Sequence, residues 1–312
     1  MKKYLVLGGN GFIGRSIVKK LSLKNEVIIA DRNFEKIYDN DNVSFRELDF
    51  VSCNDFSPYL EDVDIVIHLI STIGPNDRID NIKNEIKDNV FPTVQLLDDM
   101  VKCDTKKIVF ISSGGTVYGE HVNKPIYEYE KKNPICHYGV TKDLIEKYLQ
   151  LYNLYEGIDY RIIRLANPYS EFTKSGKSQG IVPIFIDQLL NNEEIKIWGD
   201  GNAIRDYIYI DDAVSAIIKI INYDGKEKIF NVGTGKGYTI NEVIDIICKE
   251  LNISFPNVVH LEKRKCDVGY NVLNIDKISN ELGWEPKVSL ESGIKRTIRK
   301  KIKGDYYGKE RK

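Results

Sequence analysis

The sequence predicts an α/β fold: a doubly wound parallel sheet followed by a smaller, mixed α/β C-terminal domain. Two observations carry the prediction. Short β-branched runs alternate with helical patterns through the first half, at Tyr4–Leu7, Glu26–Ala30, Val43–Leu48, Asp64–Leu69, Lys107–Ser112 and Tyr160–Leu165, and such alternation implies parallel crossovers. Within these runs Ile65-Val66-Ile67 and Ile108-Val109-Phe110-Ile111 are apolar without a break, as expected of strands covered by helices on both faces.

The first strand runs directly into Gly8-Gly9-Asn10-Gly11-Phe12-Ile13-Gly14, which opens a helix with Ile13, Ile17, Val18 and Leu21 on one side. A glycine-rich string gains meaning from that placement. One glycine permits the tight turn, one lets the backbone approach a pyrophosphate, and one lets helix and strand pack closely. The helix N-terminus then offers free N–H groups and a positive dipole end to the phosphates. Asp31 ends the second strand roughly 20 residues further on, where a carboxylate accepts hydrogen bonds from an adenosine ribose. A carboxylate there repels a 2′-phosphate, so the cofactor expected is NAD, with Arg15 and Arg32 as the two residues that would suit NADP. Gly8, Gly11, Phe12, Ile13, Gly14 and Asp31 thus read as the dinucleotide contacts of a Rossmann-type domain.

Beyond the fifth strand stands Tyr138-Gly139-Val140-Thr141-Lys142, a Tyr-x-x-x-Lys pattern. With 19 tyrosines in the chain, spacing alone decides nothing, and Tyr127/Lys131 matches as well. That second copy lies between Pro125 and Pro134 in poor helix sequence. The Tyr138 copy instead begins a helical pattern, with Val140, Leu144, Ile145, Tyr148, Leu151, Tyr152 and Tyr155 expected on the apolar side. At i and i+4 the phenol and the ammonium share one face. A free phenol titrates near 10 and is too weak an acid to serve as a base at neutral pH. A neighbouring ammonium and an oxidised nicotinamide both favour the phenolate. The pair therefore points to proton transfer coupled to hydride chemistry.

After Asn167-Pro168 the texture changes to Ser/Lys/Gly-rich sequence, Thr173 to Gly180. The expected domains are 1–168 and 169–312, with 205–233 packing back onto the first through strands at Tyr207–Ile210 and Ile229–Val232. Composition narrows the class further. The 45 lysines and arginines against 46 acidic residues give no field to recruit nucleic acid or anionic lipid. Cys53, Cys103, Cys136, Cys248 and Cys266 form no Cys-x-x-Cys pair and read as reduced thiols of a cytoplasmic protein. No apolar run of about 20 residues spans a bilayer, and no metal-binding spacing emerges. Among the histidines, His68 reads as packed at a buried strand end, His121 and His260 are scattered, and His137 stands beside Tyr138. The basic tail from Lys295 to Lys312 reads as a solvated helix end.

Together these motifs resemble the extended short-chain dehydrogenase/reductases, in particular the NAD-dependent epimerase/dehydratase family and its UDP-hexose 4-epimerases. The resemblance runs over nearly the whole chain. Its markers are the Gly8–Gly14 loop, Asp49-Phe50, His68-Leu69-Ile70-Ser71, Ser112-Ser113-Gly114-Gly115-Thr116-Val117-Tyr118-Gly119, Tyr138/Lys142 and Asn167-Pro168. Later come Trp198-Gly199-Asp200-Gly201 with Arg205-Asp206, Arg264 with Asp267, and Leu282-Gly283-Trp284 with Pro286. The resemblance implies that Asp49 and Phe50 contact the adenine, that Leu69, Ser71, Asn89 and Ser112 line the cofactor, and that Lys142 also holds the nicotinamide ribose. It implies a substrate site of Asn167, Gln179, Arg205, Arg264 and Asp267, with Asn271 influencing pocket size. Guanidinium forks suit a diphosphate, and a carboxylate suits a ribose; a structural Arg205–Asp206 ion pair is the plain alternative.

One departure stands out. Where the family carries a Ser or Thr that bonds the sugar oxygen being oxidised, this chain has Gly114, so that role falls to Ser113, Thr116 or a water. The same loop lacks the acids that the family's dehydratases and decarboxylases carry there. The resemblance therefore implies 4-epimerisation of a nucleoside-diphosphate hexose, a UDP-sugar, through a 4-keto intermediate. The alternatives are a 4-keto-sugar reductase and a non-catalytic binder of NAD or sugar nucleotide. It also implies a homodimer through helices at Asp88–Met100 and Tyr138–Tyr155.

Overall fold

The computed structural model describes residues 1–33, 38, 40–74, 82–122, 124–170, 173–174, 177–178 and 180–303. In chain order its elements are β1 (Lys3–Leu7), α1 (Phe12–Leu21), β2 (Glu26–Asp31), β3 (Val43–Glu47), α2 (Ser57–Leu60), β4 (Ile65–His68) and α3 (Ile82–Glu85). A π-helical turn (Ile86–Val90) leads into α4 (Phe91–Lys102), β5 (Lys107–Ser113), α5 (His137–Glu156), β6 (Asp159–Leu165) and β7 (Asn167–Tyr169). Then follow β8 (Thr173–Lys174), β9 (Lys177–Ser178), α6 (Ile181–Leu190), β10 (Ile195–Trp198), β11 (Ile204–Tyr209), α7 (Ile210–Ile221) and β12 (Ile229–Val232). The chain continues through β13 (Gly237–Thr239), α8 (Ile240–Leu251), β14 (Val258–Leu261), β15 (Tyr270–Asn271), α9 (Asp276–Leu282) and α10 (Leu290–Lys303).

These elements form two compact units. The first comprises Met1–Gly119, Lys131–Arg164 and Ile217–Phe230; the second comprises Glu120–Glu130, Leu165–Ala216 and the chain from Asn231 on. In the first unit a seven-stranded sheet runs β12-β6-β5-β4-β1-β2-β3. Its strands β5, β4, β1, β2 and β3 are parallel, with Leu7 level with both Ala30 and His68, and His68 level with Phe110. The carboxyl ends of β1, β2, β4 and β5 therefore meet along one rim. Strand order reverses between β1 and β4, the place where sheets of this kind hold ligands.

Physical cause is plain in the core. Leu5, Leu7, Val66, Ile108, Phe110, Leu96, Leu97, Leu149 and Ile162 are buried together, and each contributes about 1.5–3 kcal/mol by leaving water. The unbroken apolar runs of β4 and β5 are the strands buried between helices on both faces.

Of the span 205–233, β12 lies at the edge of the seven-stranded sheet, but β11 does not join it. Tyr207–Ile210 thus does not return to the first sheet as the sequence suggests. β11 instead pairs with β7, β13 and β15 in the second unit. The reason is Asp206, wholly buried in β11, whose carboxylate accepts from Thr234 N and Oγ1, Gly235 N and Leu273 N. A buried carboxylate needs such donors, and these come from Thr234, Gly235 and Leu273 of the second unit.

Around that sheet the second unit packs Val182, Ile186, Ile195, Val243, Ile247, Leu273, Ile278 and Ile294. Helix α8 starts on a capping box, Thr239 with Glu242, which satisfies two otherwise orphaned N–H groups. Among the described residues no helix is long and apolar enough to cross a membrane, and no acid, histidine and cysteine group could hold a metal ion. All five cysteines are free.

Candidate active site

The glycine loop leaves β1 at the switch point. Gly8 takes φ of +82°, a left-handed conformation that costs other residues energy. Gly8 O accepts from Gly11 N at 3.0 Å, closing a tight turn. A Cβ on Gly14 would meet Gly8 O at 2.4 Å and Gly9 Cα at 2.8 Å, so only glycine lets α1 pack this closely on the turn. Gly11 caps α1 without any side-chain hydrogen bond, and the first turn holds no acid. The N-terminal end of α1 thus carries no side-chain cap and no acid, and its dipole suits an anion. Asp31 accepts from Asn10 N at 3.1 Å and from Arg32 N at 2.8 Å. Arg15 is buried, its Nε bonded to Asn10 O at 2.8 Å. This cradle fits a dinucleotide: small, strained at the turn, cationic in dipole and closed by a carboxylate.

The loop after β4 lies beside it, with Leu69 and Ile70 against Gly8. Ser71 Oγ donates to Ile73 O. Asn89, in the π-helical turn, accepts from Thr72 N at 2.9 Å and donates to Thr72 Oγ1 at 2.7 Å. Asp49 caps its own turn through Val51 N and Ser52 Oγ. Phe50 is packed into the core against Phe56 and His68, so its side chain is spent there and only its main chain is left for a ligand. His68, the packed strand end expected, sits between Phe50 and Phe110 and bonds Thr93 Oγ1 at 3.0 Å. Burial, and secondarily the charge of Lys142, holds its ring down at about 3, and it is neutral.

Tyr138 and Lys142 stand in the first turns of α5. Lys142 is 3% exposed, donates to Ile111 O at 3.0 Å, and lies 5.6 Å from the centre of the Tyr138 ring. The rival Tyr127 lies outside any helix, stacked on Tyr129. Burial pulls the Lys142 ammonium down to about 8. It pushes the Tyr138 phenol above its ordinary value, and Cys136 adds to the rise.

Gly139 shows why this helix can come so near the loop after β5. A Cβ there would meet Thr116 O at 2.8 Å. Thr116 is thereby set against the residue next to Tyr138, and its Oγ1, shielded from water, has no hydrogen-bond partner among the described residues. Ser112 Oγ, expected at the cofactor, donates instead to Glu146 at 2.6 Å.

The expected inward face of α5 holds in part: Ile145 is in the core and Leu144, Tyr148 and Tyr152 pack against it. Gly139, Thr141, Lys142, Ile145, Glu146 and Leu149 are buried, whereas Val140, Leu151 and Tyr155 are exposed. Hydrophobicity marked only part of the face because the buried side also carries polar groups. Glu146 is the centre of these. It accepts from Arg164 Nε and Nη2 at 3.2 and 2.8 Å and from Lys132 at 2.8 Å, while Arg164 donates to Tyr118 OH at 2.9 Å. Burial acts to raise the Glu146 carboxyl, but Arg164 and Lys132 outweigh it and hold the group below the usual range. The two ends of the loop that carries Ser113 and Thr116 are thus fastened, Ser112 to Glu146 and Tyr118 to Arg164. Sequence reading missed this bridge; the spacing of Glu146, four residues after Lys142, was the available signal.

In the second unit Asn167 donates to Asp206 O at 2.9 Å from the neighbouring strand. Arg205 stands in register with Asn271, which is wholly buried. Burial lowers the Arg205 guanidinium, offset by Tyr207 and by the carboxylates of Asp267 and Glu120. The plain alternative of an Arg205–Asp206 pair does not hold, since Asp206 is engaged by backbone N–H groups and Thr234. Arg264 stacks on Trp198, 4.0 Å from the ring centre, and its carbonyl accepts from Asp267 N. Asn167, Arg205, Asp267 and Asn271 therefore gather at the β7–β11–β15 sheet. Gln179 lies outside the described residues.

The chain matches the NAD dependent epimerase/dehydratase family over residues 4–233. It is 37% identical to an inferred UDP-glucose 4-epimerase of Methanocaldococcus jannaschii, over 94% of this chain and 96% of that one. It is 31% identical to the dTDP-4-dehydro-6-deoxyglucose reductase of Escherichia coli, over 95% and 96%. Among solved structures, a Thermotoga maritima UDP-glucose 4-epimerase with UDP-glucose superimposes with a TM-score of 0.89 at 33% identity, covering 97% of this chain and 99% of that one.

Proposed function

The chain belongs to the NAD dependent epimerase/dehydratase family, and we propose that it interconverts the C4 epimers of a nucleoside-diphosphate hexose, a UDP-sugar, with NAD as cofactor. The observation that carries the reading is the Tyr138/Lys142 pair on the inner face of α5, beside an unsatisfied Thr116 hydroxyl and on the same unit as the glycine cradle. NAD, when bound, supplies the hydride acceptor and donor and a positive ring charge.

The remaining work falls to the protein's own side chains. Gly8, Gly11 and Gly14 let the main chain turn close to a pyrophosphate at the positive end of the α1 dipole, where Phe12 and Ile13 begin the helix, and Asp31 holds a ribose. Asp49, the Phe50 main chain, Leu69, Ser71 and Asn89 line the rest of the cofactor. Tyr138 takes the proton from the sugar 4-hydroxyl and returns it; a positive charge nearby offsets the burial that raises its phenol. Lys142 holds the ribose and contributes its own charge. Thr116 is the residue we assign to the role that Gly114 cannot fill, a hydrogen bond to the sugar oxygen, with Ser113 as second neighbour. Asn167, Arg205, Arg264, Asp267 and Asn271 hold the nucleotide and its diphosphate. Binding there, remote from the reacting carbon, leaves the ring free to turn and recover hydride on its other face.

A second reading, an NAD(P)H-dependent reductase of a 4-keto sugar that releases oxidised cofactor after each cycle, draws on the similarity to the Escherichia coli reductase. One experiment separates the two. Purified protein is incubated with UDP-glucose, UDP-galactose and their N-acetyl forms without added cofactor. Interconversion supports the epimerase; no conversion of any pair, together with turnover of a 4-keto sugar only on adding NADH or NADPH, replaces it with the reductase.

Exposed apolar side chains support the dimer. Phe91 on α4 and Val140, Leu151, Leu154 and Tyr155 on α5 are 45–75% exposed, a concentration that marks a contact surface. We assign that face to a second copy, to be checked by mass in solution.

A further inference from the structure

Glu85, at the end of α3, is 4% exposed and has no place in the chemistry above. A buried carboxylate is costly unless it is engaged. Its two oxygens are engaged by one helix: Oε1 lies against His137 Nδ1, and Oε2 accepts from Thr141 Oγ1 at 3.3 Å. His137 and Thr141 are one turn apart on α5, and each directly precedes a member of the pair, Tyr138 and Lys142. Successive helix residues are turned by about 100°, so two contacts on one face fix where the next face points.

We propose that Glu85 is a positioning residue, whose two-point grip on His137 and Thr141 sets the rotation of α5 and hence the direction of the Tyr138 phenol and Lys142 ammonium. The π-helical turn that begins immediately after Glu85 extends the grip. Glu85 O accepts from Asn89 Nδ2 at 3.1 Å, and Asn89 in turn holds Thr72 in the loop after β4. One segment thereby ties the cofactor-side loop to the catalytic helix. Turns of this type interrupt α-helices frequently at functional sites. The benefit to proton transfer rests on the C4-oxidation reading; the grip on α5 stands without it.

The test compares Glu85→Ala with Glu85→Gln in the full-length protein. Glutamine keeps an acceptor for Thr141 and a donor for the His137 ring, so it is the conservative rescue. The first readout, deuterium exchange, needs no substrate. Glu85→Ala is expected to speed exchange about tenfold in peptides spanning 136–143, with peptides from the far half of α5 unchanged. In Glu85→Gln that segment exchanges within about twofold of the parent. The second readout is kinetic: kcat of Glu85→Ala for the interconverted UDP-sugar falls roughly 10- to 100-fold, KM stays within about threefold, and Glu85→Gln recovers kcat. Unchanged exchange at 136–143 overturns the proposal. So does a loss spread evenly over all peptides with kcat intact per folded protein, or a glutamine variant as defective as the alanine. If the parent protein converts no UDP-sugar, the function reading fails while the exchange comparison still decides the grip.

Discussion

Substituting Glu146 by alanine is expected to destabilise the first unit by about 3–5 kcal/mol, the cost of breaking a buried ion pair from one side. The structure shows where that cost arises. Glu146 is 0% and Arg164 2% exposed. Without the carboxylate, Arg164 loses its counter-charge and two hydrogen bonds while its bond to the Tyr118 hydroxyl remains, and Ser112 Oγ loses its acceptor. An unsatisfied buried hydroxyl alone costs about 1–3 kcal/mol. Lys132 suffers less, because it also contacts Asp143. The paired substitution Glu146→Leu with Arg164→Met removes both charges and is expected to recover the part of the loss due to the uncompensated guanidinium, leaving the cost of the Ser112 hydroxyl. The assay is urea unfolding by circular dichroism on the parent, both singles and the double. The cycle also has a pH signature. The folded carboxyl lies below its unfolded value near 4.3, so the contribution is complete above that pH and is lost only as pH falls through the depressed value. A Glu146→Ala variant within about 1 kcal/mol of the parent at pH 7, or a double variant no better than the single, refutes the reasoning.

Four further outcomes are expected. Tyr138→Phe lowers kcat by roughly 10²- to 10⁴-fold while the protein still carries cofactor, as read from the absorbance of ligand released on denaturation; retained turnover removes Tyr138 from the mechanism. Gly14→Ala drives a Cβ into Gly8 O and is expected to abolish cofactor binding in titration calorimetry, an unchanged affinity contradicting the cradle. Thr116→Val lowers kcat roughly 10- to 100-fold with little change in KM, as loss of a transition-state hydrogen bond does, whereas Ser113→Ala stays near the parent; the reverse order reassigns the hydroxyl. Because the Lys142 ammonium sits at about 8, its charge is present below that pH and lost above it. The pH profile of kcat/KM for free enzyme should therefore descend on the alkaline side near 8, and a level profile from about pH 7 to 9.5 denies the charge a role.

Much of the first unit could be read from the residues alone. Glycine spacing between a strand and a helix, an acid at the end of the second strand and a Tyr-x-x-x-Lys pair are local signals, fixed by the geometry of one turn or one strand. Where reading failed, the reason was tertiary. Val140, Leu151 and Tyr155 look like a core stripe by hydrophobicity, yet they are exposed and Lys142, Thr141 and Glu146 are inside. For Phe50 and Ser112 the core and Glu146 engage the side chains, which leaves their main chains for the proposed cofactor contact. β11 looked like a strand of the first sheet, and the donors for its buried Asp206 placed it in the second unit.

The sequence by itself determined the doubly wound sheet, through strand–helix alternation over the first half, and marked the glycine turn and the Tyr138/Lys142 spacing, each written within a few consecutive residues. Tertiary structure alone decided which face of α5 turns inward and which distant groups, Arg164 and Glu85, make a buried polar face tolerable. A carboxylate or ammonium enters the interior only when partners from other segments meet it there, and those partners are far away along the chain.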